Sequence, residues 1–387
     1  MSFTDHLFIS VGESSGDLMA AYLVQQLKEL DPHLHFSGIV GPALLTLGVH
    51  PVAEMDELSV MGVVEVLRNL ARIKMLKSKV LSYIDTHPIS AAILVDSAGF
   101  HFQLAEELKM RGIKTIQYVA PKLWAWGEHR IARLKRDFDL VLSTFPFEEN
   151  YFQQRGVPCY YVGCPIADRT ARIQLTKEAL GYAHDKHLVA ALPGSRVQEV
   201  QRLLPRLKSI AQRIKDQVPD TQFVVPIQPN IRKRLKTLLE NMEEENFQFT
   251  DNMSLELMAV ADAAIVASGT ATLECALLET PLVVVYAMSP FSYWLAKRKV
   301  KIPWVSLVNI LQEKAVVREF IQHFSDESVA HELVTLLLSD SERQSMRLEF
   351  QQLKKKLSAP SSVSAVTRIG DLLGLYRKKR VYSVQDN

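Results

Sequence analysis

The sequence has little of what marks secreted, membrane-spanning or nucleic-acid-binding chains. It holds three cysteines, Cys159, Cys164 and Cys275, at no spacing that suits a zinc site or a redox pair. That scarcity fits a reducing compartment and predicts neither disulfides nor a metal centre. The histidines are scattered, and the close pair His33 and His35 sits beside Asp31 and Pro32 in an expected helix-to-strand turn. No apolar run approaches the ~20 residues that a membrane-spanning helix needs. The longest candidates are residues 60–67, interrupted by Glu65, and 282–288. The first ten residues contain Asp5 and run straight into an apolar strand, so no secretory leader is expected. Charge of one sign is missing too: 45 Lys and Arg against 43 Asp and Glu leave a formal +2. Nothing global therefore argues for nucleic acid, and any basic function must come from local clusters. The G-x-G-x-x-G spacing of a dinucleotide site is absent, and no resident cofactor is expected. There is no internal repeat and no low-complexity tract.

What remains is the composition of a globular protein, 48% hydrophobic and 23% charged, in a chain of 387 residues that calls for two domains. Apolar runs alternate with amphipathic stretches: strand His6–Val11, helix 17–30, strand 36–40, strand Ala91–Val95, helix 102–110, and strands 114–119 and 140–144. After Cys164-Pro165 a second series follows, with strands His187–Leu192, 222–226, Ala263–Ala267 and Leu282–Tyr286 and helices between them. Strand–helix–strand alternation of this kind predicts parallel sheets. The chain thus reads as α/β, with one Rossmann-like domain over 1–165, a second over 166–345, and a helical C-terminus over 346–387. In such sheets ligands sit beyond the carboxyl ends of the strands. Two such domains facing each other make a cleft, where the informative residues are expected to converge.

Three strand-to-helix loops carry the chemistry. In Gly12-Glu13-Ser14-Ser15-Gly16-Asp17 small residues let a ligand approach the backbone and Asp17 suits a helix cap; the alternative is an ordinary turn. Leu192-Pro193-Gly194-Ser195-Arg196 offers backbone N–H groups at a helix start together with a guanidinium, the set a diphosphate leaving group needs; the alternative is a capped turn with a surface arginine. Ser268-Gly269-Thr270-Ala271-Thr272 adds hydroxyls at another helix start, with Glu274 one turn in and suited to a pair of ribose hydroxyls. Two phosphate-type loops in one half point to a nucleotide diphosphate held there. In the other half, Asp96 ends the strand Ala91–Val95 and is the candidate general base, unless it caps the helix that follows.

Tyr118, Pro121, Trp124 and Trp126, with Lys122, His129 and Arg130 behind them, can stack on sugar rings and hold a phosphorylated acceptor. Arg133, Lys135 and Arg136 read instead as the solvated face of a helix. Residues 60–67, followed by Arg68, Arg72, Lys74, Lys77 and Lys79, and Pro290-Phe291-Ser292-Tyr293-Trp294-Leu295, followed by Lys297, Arg298, Lys299 and Lys301, combine apolar side chains with cations. Each is either a membrane-contacting surface or a buried helix with a basic outer face.

Taken together, Val11 to Asp17, Val60-Met61-Gly62, Tyr118-Val119-Ala120-Pro121, Trp124-Ala125-Trp126, Leu192 to Arg196, Ser268 to Glu274 and Pro290 to Arg298 resemble the lipid-A-disaccharide synthase family. The resemblance implies a GT-B type, inverting glycosyltransferase that works without a metal. It further implies that UDP-2,3-diacylglucosamine and 2,3-diacylglucosamine 1-phosphate are joined by a β-1,6 linkage, at the cytoplasmic face of the inner membrane. Carried onto this chain, Asp96 and Arg196 take the family's catalytic positions. Glu274 matches the glutamate after the family's S-G-T-A loop and Asn309 the asparagine near the donor, orienting ribose and uridine, while the loops and aromatics read above add Glu13, Ser14, Ser15, Gly194, Ser195, Ser268, Gly269, Thr270, Tyr118 and Trp126 as substrate-binding candidates. The C-terminal helices, including Arg377, Lys378, Lys379 and Arg380, are expected to pack back on the first domain or to be exchanged in a homodimer.

The chain departs from the family pattern at Asp96-Ser97-Ala98-Gly99-Phe100-His101, where Asp-Ala-Pro-Asp-Phe-Asn is usual. Either His101 takes the lost polar role or the acceptor pocket differs. Two other departures are Gly163-Cys164 for Gly-His and Val308-Asn309 for Pro-Asn. Alternative readings are N-acetylglucosamine transfer in lipid II synthesis, a UDP-sugar epimerase, and a UDP-sugar-binding paralogue without catalysis.

Overall fold

The computed structural model describes residues 6–58, 70–243, 247–251, 253–300, 302–357 and 364–375. The chain forms two compact units, Met1–Cys164 with Pro360–Asn387, and Pro165–Ala359. Each is built on a parallel sheet.

In the first unit the strands are β1 (His6–Val11), β2 (His35–Val40), β3 (His50–Glu54), β4 (Ala91–Val95), β5 (Lys114–Tyr118), β6 (Leu140–Ser143) and β7 (Cys159–Tyr161), in the order β3-β2-β1-β4-β5-β6-β7. A strand covered by helices on both faces must be apolar at every position, and β4 is: all five residues of Ala-Ala-Ile-Leu-Val have no solvent exposure. Burying Ile93 or Leu94 in this way stabilises the unit by roughly 2 kcal/mol each. The helix Ala365–Leu373, near the end of the chain, belongs to this unit and places Ile369 and Leu373 in the same core as β1 and the helix Ser14–Leu30. Its Arg368 guanidinium lies 3.8 Å from the Tyr160 ring.

In the second unit β8 (His187–Leu192), β9 (Thr221–Ile227), β10 (Phe247–Asp251), β11 (Ala263–Ala267), β12 (Leu282–Tyr286) and β13 (Glu319–Ile321) pair in the order β10-β9-β8-β11-β12-β13. The helix Val197–Lys215 buries Val200, Leu203, Leu204, Leu207, Ile210, Ala211 and Ile214. These fall at the three-and-four spacing that puts one apolar stripe on a helix, and the stripe covers the sheet. The helix Asp340–Leu357 stays with this unit.

Four strands were not expected from the sequence: β3, β7, β10 and β13. They are the four sheet edges. An edge strand is paired on one side only, so it needs no continuous apolar run; Gln-Phe-Thr-Asp in β10 and Glu-Phe-Ile in β13 are half open to solvent. Two helices begin earlier than expected, at Ser14 and Ala98, because small and polar residues are tolerated in a first turn that has no inward-facing stripe yet. No helix among the described residues is long and apolar enough to cross a membrane. Residues 60–67 with Arg68, Lys301, and Arg377, Lys378, Lys379 and Arg380 lie outside the described residues.

Candidate active site

In each sheet the strand order reverses once, between β1 and β4 and between β8 and β11. Loops leaving neighbouring strands at such a point turn to opposite faces and leave a crevice at the carboxyl edge, where ligands of open α/β sheets bind. The loops singled out in the sequence fall there. The Gly12–Ser15 segment follows β1 and Asp96 follows β4; Gly194, Ser195 and Arg196 follow β8, and Ser268, Gly269 and Thr270 follow β11.

In the first unit the two loops touch. A Cβ on Gly12 would lie 2.0 Å from the Ser97 hydroxyl, so only glycine lets them approach. Glu13 is the N-cap of the helix Ser14–Leu30, and Ser14 and Ser15 form its first turn, half-buried. Asp17 does not cap this helix. Its buried carboxylate accepts the backbone N–H of Gly41, Ala43 and Leu44, closing the start of the short helix Pro42–Thr46. Burial raises its pKa while those three N–H groups pull it down.

Asp96 and Ser97 both have positive φ, +56° and +36°. Two consecutive non-glycine residues in the left-handed region cost roughly 1–3 kcal/mol each and persist only where their surroundings hold them. Here the Asp96 N–H donates to the Tyr118 carbonyl, 3.1 Å, and the Ser97 carbonyl accepts from Phe100 and His101. The Asp96 carbonyl accepts from His101 Nδ1, 2.9 Å, and from Gln117 Nε2, 3.3 Å. Asp96 is thus fixed through its main chain at the open edge of the sheet, its carboxylate half exposed. None of the described residues hydrogen-bonds that carboxylate.

Tyr118 is not a stacking platform: it is 2% exposed and belongs to the apolar core, because it faces inward from β5. Trp126 is 47% exposed, with the Arg130 guanidinium 4.4 Å over its ring, and offers both a face and a cation. Trp124 is anchored. Its indole N–H donates to Glu148 Oε1, 3.0 Å. Glu148 was not singled out in the sequence. It is buried, its Oε2 has no hydrogen-bond partner among the described residues, and burial pushes its pKa up to about 8 although the Trp124 N–H opposes the shift. Arg133 and Arg136 pair with Glu106, as a solvated helix face would.

In the second unit Gly194 has φ +113°, and a Cβ there would strike the Glu199 carboxylate at 2.3 Å. Arg196 is the N-cap of the helix Val197–Lys215, and its guanidinium is held 2.8 Å from Glu199 Oε1, one turn on. Ser195 is exposed. The Ser268 hydroxyl donates to the Val305 carbonyl, 3.0 Å, Gly269 is the N-cap, and Thr270 opens the next helix. Glu274 is buried and ion-paired with Arg169, from the helix Pro165–Thr170; burial raises its pKa and Arg169 opposes.

Asn309 corrects the expectation of a uridine contact. Its Nδ2 donates to the Val317 carbonyl and to Glu319 Oε1, both 2.9 Å, and its Oδ1 accepts from Val316 N–H, 2.8 Å, and Val317 N–H, 2.9 Å. All four hydrogen-bonding positions of the amide are used, so none is left for a ligand. Glu319 also accepts the N–H groups of Val305 and Ser306. Asn309 and Glu319 therefore fasten the segment that in turn holds Ser268. Arg169, Glu148 and Glu319 escaped the sequence reading because the partners that define them are remote in the chain.

The first unit thus offers a half-exposed carboxylate suited to accept a proton, and the second a guanidinium with helix-start N–H groups suited to an anion. Two such parallel-sheet units also occur together in solved structures. The fold is similar to that of UDP-GlcNAc 2-epimerase from Methanocaldococcus jannaschii, solved with UDP-GlcNAc and UDP (TM-score 0.59, 12% identity, 90% of this chain and 99% of that one). It is equally similar to the spinosyn rhamnosyltransferase solved with thymidine diphosphate (TM-score 0.59, 13% identity, 92% and 97%). The class is the GT-B type glycosyltransferase. The sequence pattern described as lipid-A-disaccharide synthetase matches residues 7–369, and the chain belongs to that family. Over 370 residues it is 35% identical to the lipid-A-disaccharide synthase of Escherichia coli strain SE11, a match that spans 93% of this chain and 96% of that protein.

Proposed function

We propose that the chain condenses UDP-2,3-diacylglucosamine with 2,3-diacylglucosamine 1-phosphate, giving the β-1,6-linked disaccharide 1-phosphate and UDP. The observation that carries this reading is Asp96, held at the strand-order reversal of the first unit in a strained backbone conformation, in a chain of this family. Asp96 takes the proton of the acceptor 6-hydroxyl as that oxygen attacks the anomeric carbon in line with the departing diphosphate. Arg196 and the N–H groups around Ser195 and from Ser268 to Thr270 neutralise charge on the diphosphate as its bond breaks. Glu274, oriented by Arg169, meets the ribose, and Trp126 with Arg130 receives the acceptor sugar and its phosphate. Product mass and UDP release, measured on the purified chain with both lipid substrates, test this. Asp96→Asn is expected to lower kcat by about 1,000-fold; full turnover in that variant would remove the base.

The enzyme works at the cytoplasmic surface of the inner membrane in this reading. The support comes from the helix Pro290–Lys299, which buries none of its residues. Phe291 and Trp294 are about half exposed and stacked, Arg298 lies 3.6 Å over Trp294, and Lys297 and Lys299 complete its last turn. Aromatic side chains beside cations suit the headgroup region of anionic lipid. Changing Phe291 and Trp294 together to serine is expected to weaken co-sedimentation with phosphatidylglycerol vesicles; unchanged sedimentation would place the contact elsewhere.

A further inference from the structure

His101 has no exposure to solvent, sits on the helix Ala98–Met110 and uses both ring nitrogens. Nδ1 lies 2.9 Å from the main-chain carbonyl of Asp96, and Nε2 lies 2.9 Å from the Ser10 hydroxyl on β1. A carbonyl oxygen can only accept, so the proton is on Nδ1. Nε2 then offers its lone pair to the Ser10 hydroxyl. Complete burial agrees with an uncharged ring, holding the His101 pKa down to about 4. Gln117, 1% exposed on β5, grips the same carbonyl and also that of Val119, 3.1 Å away, a third non-glycine residue with positive φ on this edge. Side chains from β1, β5 and the helix after β4 thus converge on the peptide that aims the Asp96 carboxylate.

We propose that His101, its tautomer fixed by the Asp96 carbonyl and its ring steadied by Ser10, is a positioning residue that holds the left-handed turn at Asp96 and so sets the direction of its carboxylate. The inference rests on Asp96 being the base. It also gives the departure at position 101 a function: the donor that matters is the atom two bonds beyond Cβ, which both an imidazole Nδ1 and an asparagine amide supply.

That equivalence makes the test specific. His101→Asn retains a donor at the level of Nδ1, whereas His101→Gln moves it one bond outward, to the level of Nε2, within reach of Ser10 but past the Asp96 carbonyl. The expected result is a kcat about 100-fold lower in His101→Gln with the donor KM unchanged, because misaiming by about an ångström acts on the transition state and not on nucleotide binding. His101→Asn recovers most of the loss. Melting temperatures of both variants separate this from a general loss of structure, which would lower them and kcat together without distinguishing Asn from Gln. Equal losses in the two variants overturn the proposal. Ser10→Ala, the least disruptive change, is expected to lower kcat about fivefold by leaving Nε2 without its partner and loosening the ring; a wild-type kcat there overturns it as well. Asp96→Asn run alongside keeps the two readings apart. An active Asp96→Asn removes the base itself, while an inactive Asp96→Asn with a fully active His101→Gln leaves the base standing and removes only the positioning role.

Discussion

At the end of β4 the chain turns through two non-glycine residues in the left-handed region, held by hydrogen bonds from the buried side chains of His101 and Gln117 to the main chain. At the end of β11 it turns through Gly269 in extended backbone, and the charged side chains nearby are held by ion pairs, Arg196 to Glu199 and Glu274 to Arg169. The same topology thus serves two ends. The first turn directs one carboxylate, which needs a fixed backbone under a side chain that stays open. In the proposed reaction the second presents N–H groups and a guanidinium to a diphosphate, which needs aligned donors.

The contrast predicts different costs for damage on each side. Arg196→Ala is expected to lower kcat by about 100-fold. The loss should be felt in turnover at saturating donor, and a loss confined to donor KM would show that the guanidinium binds the ground state only. Next, Asn309→Ala strands the buried N–H of Val317 and removes one hydrogen bond each from the Val317 carbonyl, the Val316 N–H and Glu319 Oε1. It should cost about 2–3 kcal/mol of stability in denaturant unfolding. A donor KM that rises with no change in stability would instead restore Asn309 as a ligand residue.

Glu148 sharpens the comparison from the first unit. Its folded pKa of about 8 lies above the ordinary 4.5, so between those values the folded state keeps a proton that the unfolded state has lost. Stability contributed by this group falls as pH rises through that window. Glu148→Gln, which cannot ionise, should therefore gain melting temperature relative to wild type by a few degrees from about pH 5 to about pH 9. A difference independent of pH would mean that the carboxyl is ionised throughout. The smallest effect belongs to Gly99→Asp. Gly99 is exposed, and a Cβ there meets nothing within 4 Å. The carboxylate usual in the family should be accommodated with a stability change within about 0.5 kcal/mol. A large change would show that the turn at Asp96 is tighter than its neighbours suggest.

Some of this was legible in the residues alone. The strands His6–Val11, Ala91–Val95, His187–Leu192, Ala263–Ala267 and Leu282–Tyr286 were read to the residue, because a strand buried on both faces must be apolar throughout and that property is local. The loops at both strand-order reversals were legible for a similar reason, since small residues between a strand and a helix are visible without knowing what they face. The edge strands were not, because pairing on one side leaves no compulsory pattern. Nor was Tyr118, whose position at the end of β5 looked like a site while its ring turned into the core.

The amino-acid sequence by itself determined the α/β class, the central strands, the chemistry of the turns and the family. Only the tertiary structure decided which partner each polar group meets. Asp17 serves a helix that starts 25 residues later at Pro42, Glu274 meets Arg169 from 105 residues away, and His101 meets Ser10 from 91. Apolar burial depends on a residue's own side chain and is written along the chain. A hydrogen bond depends on two groups within about 3 Å, and for remote residues that distance exists only after folding.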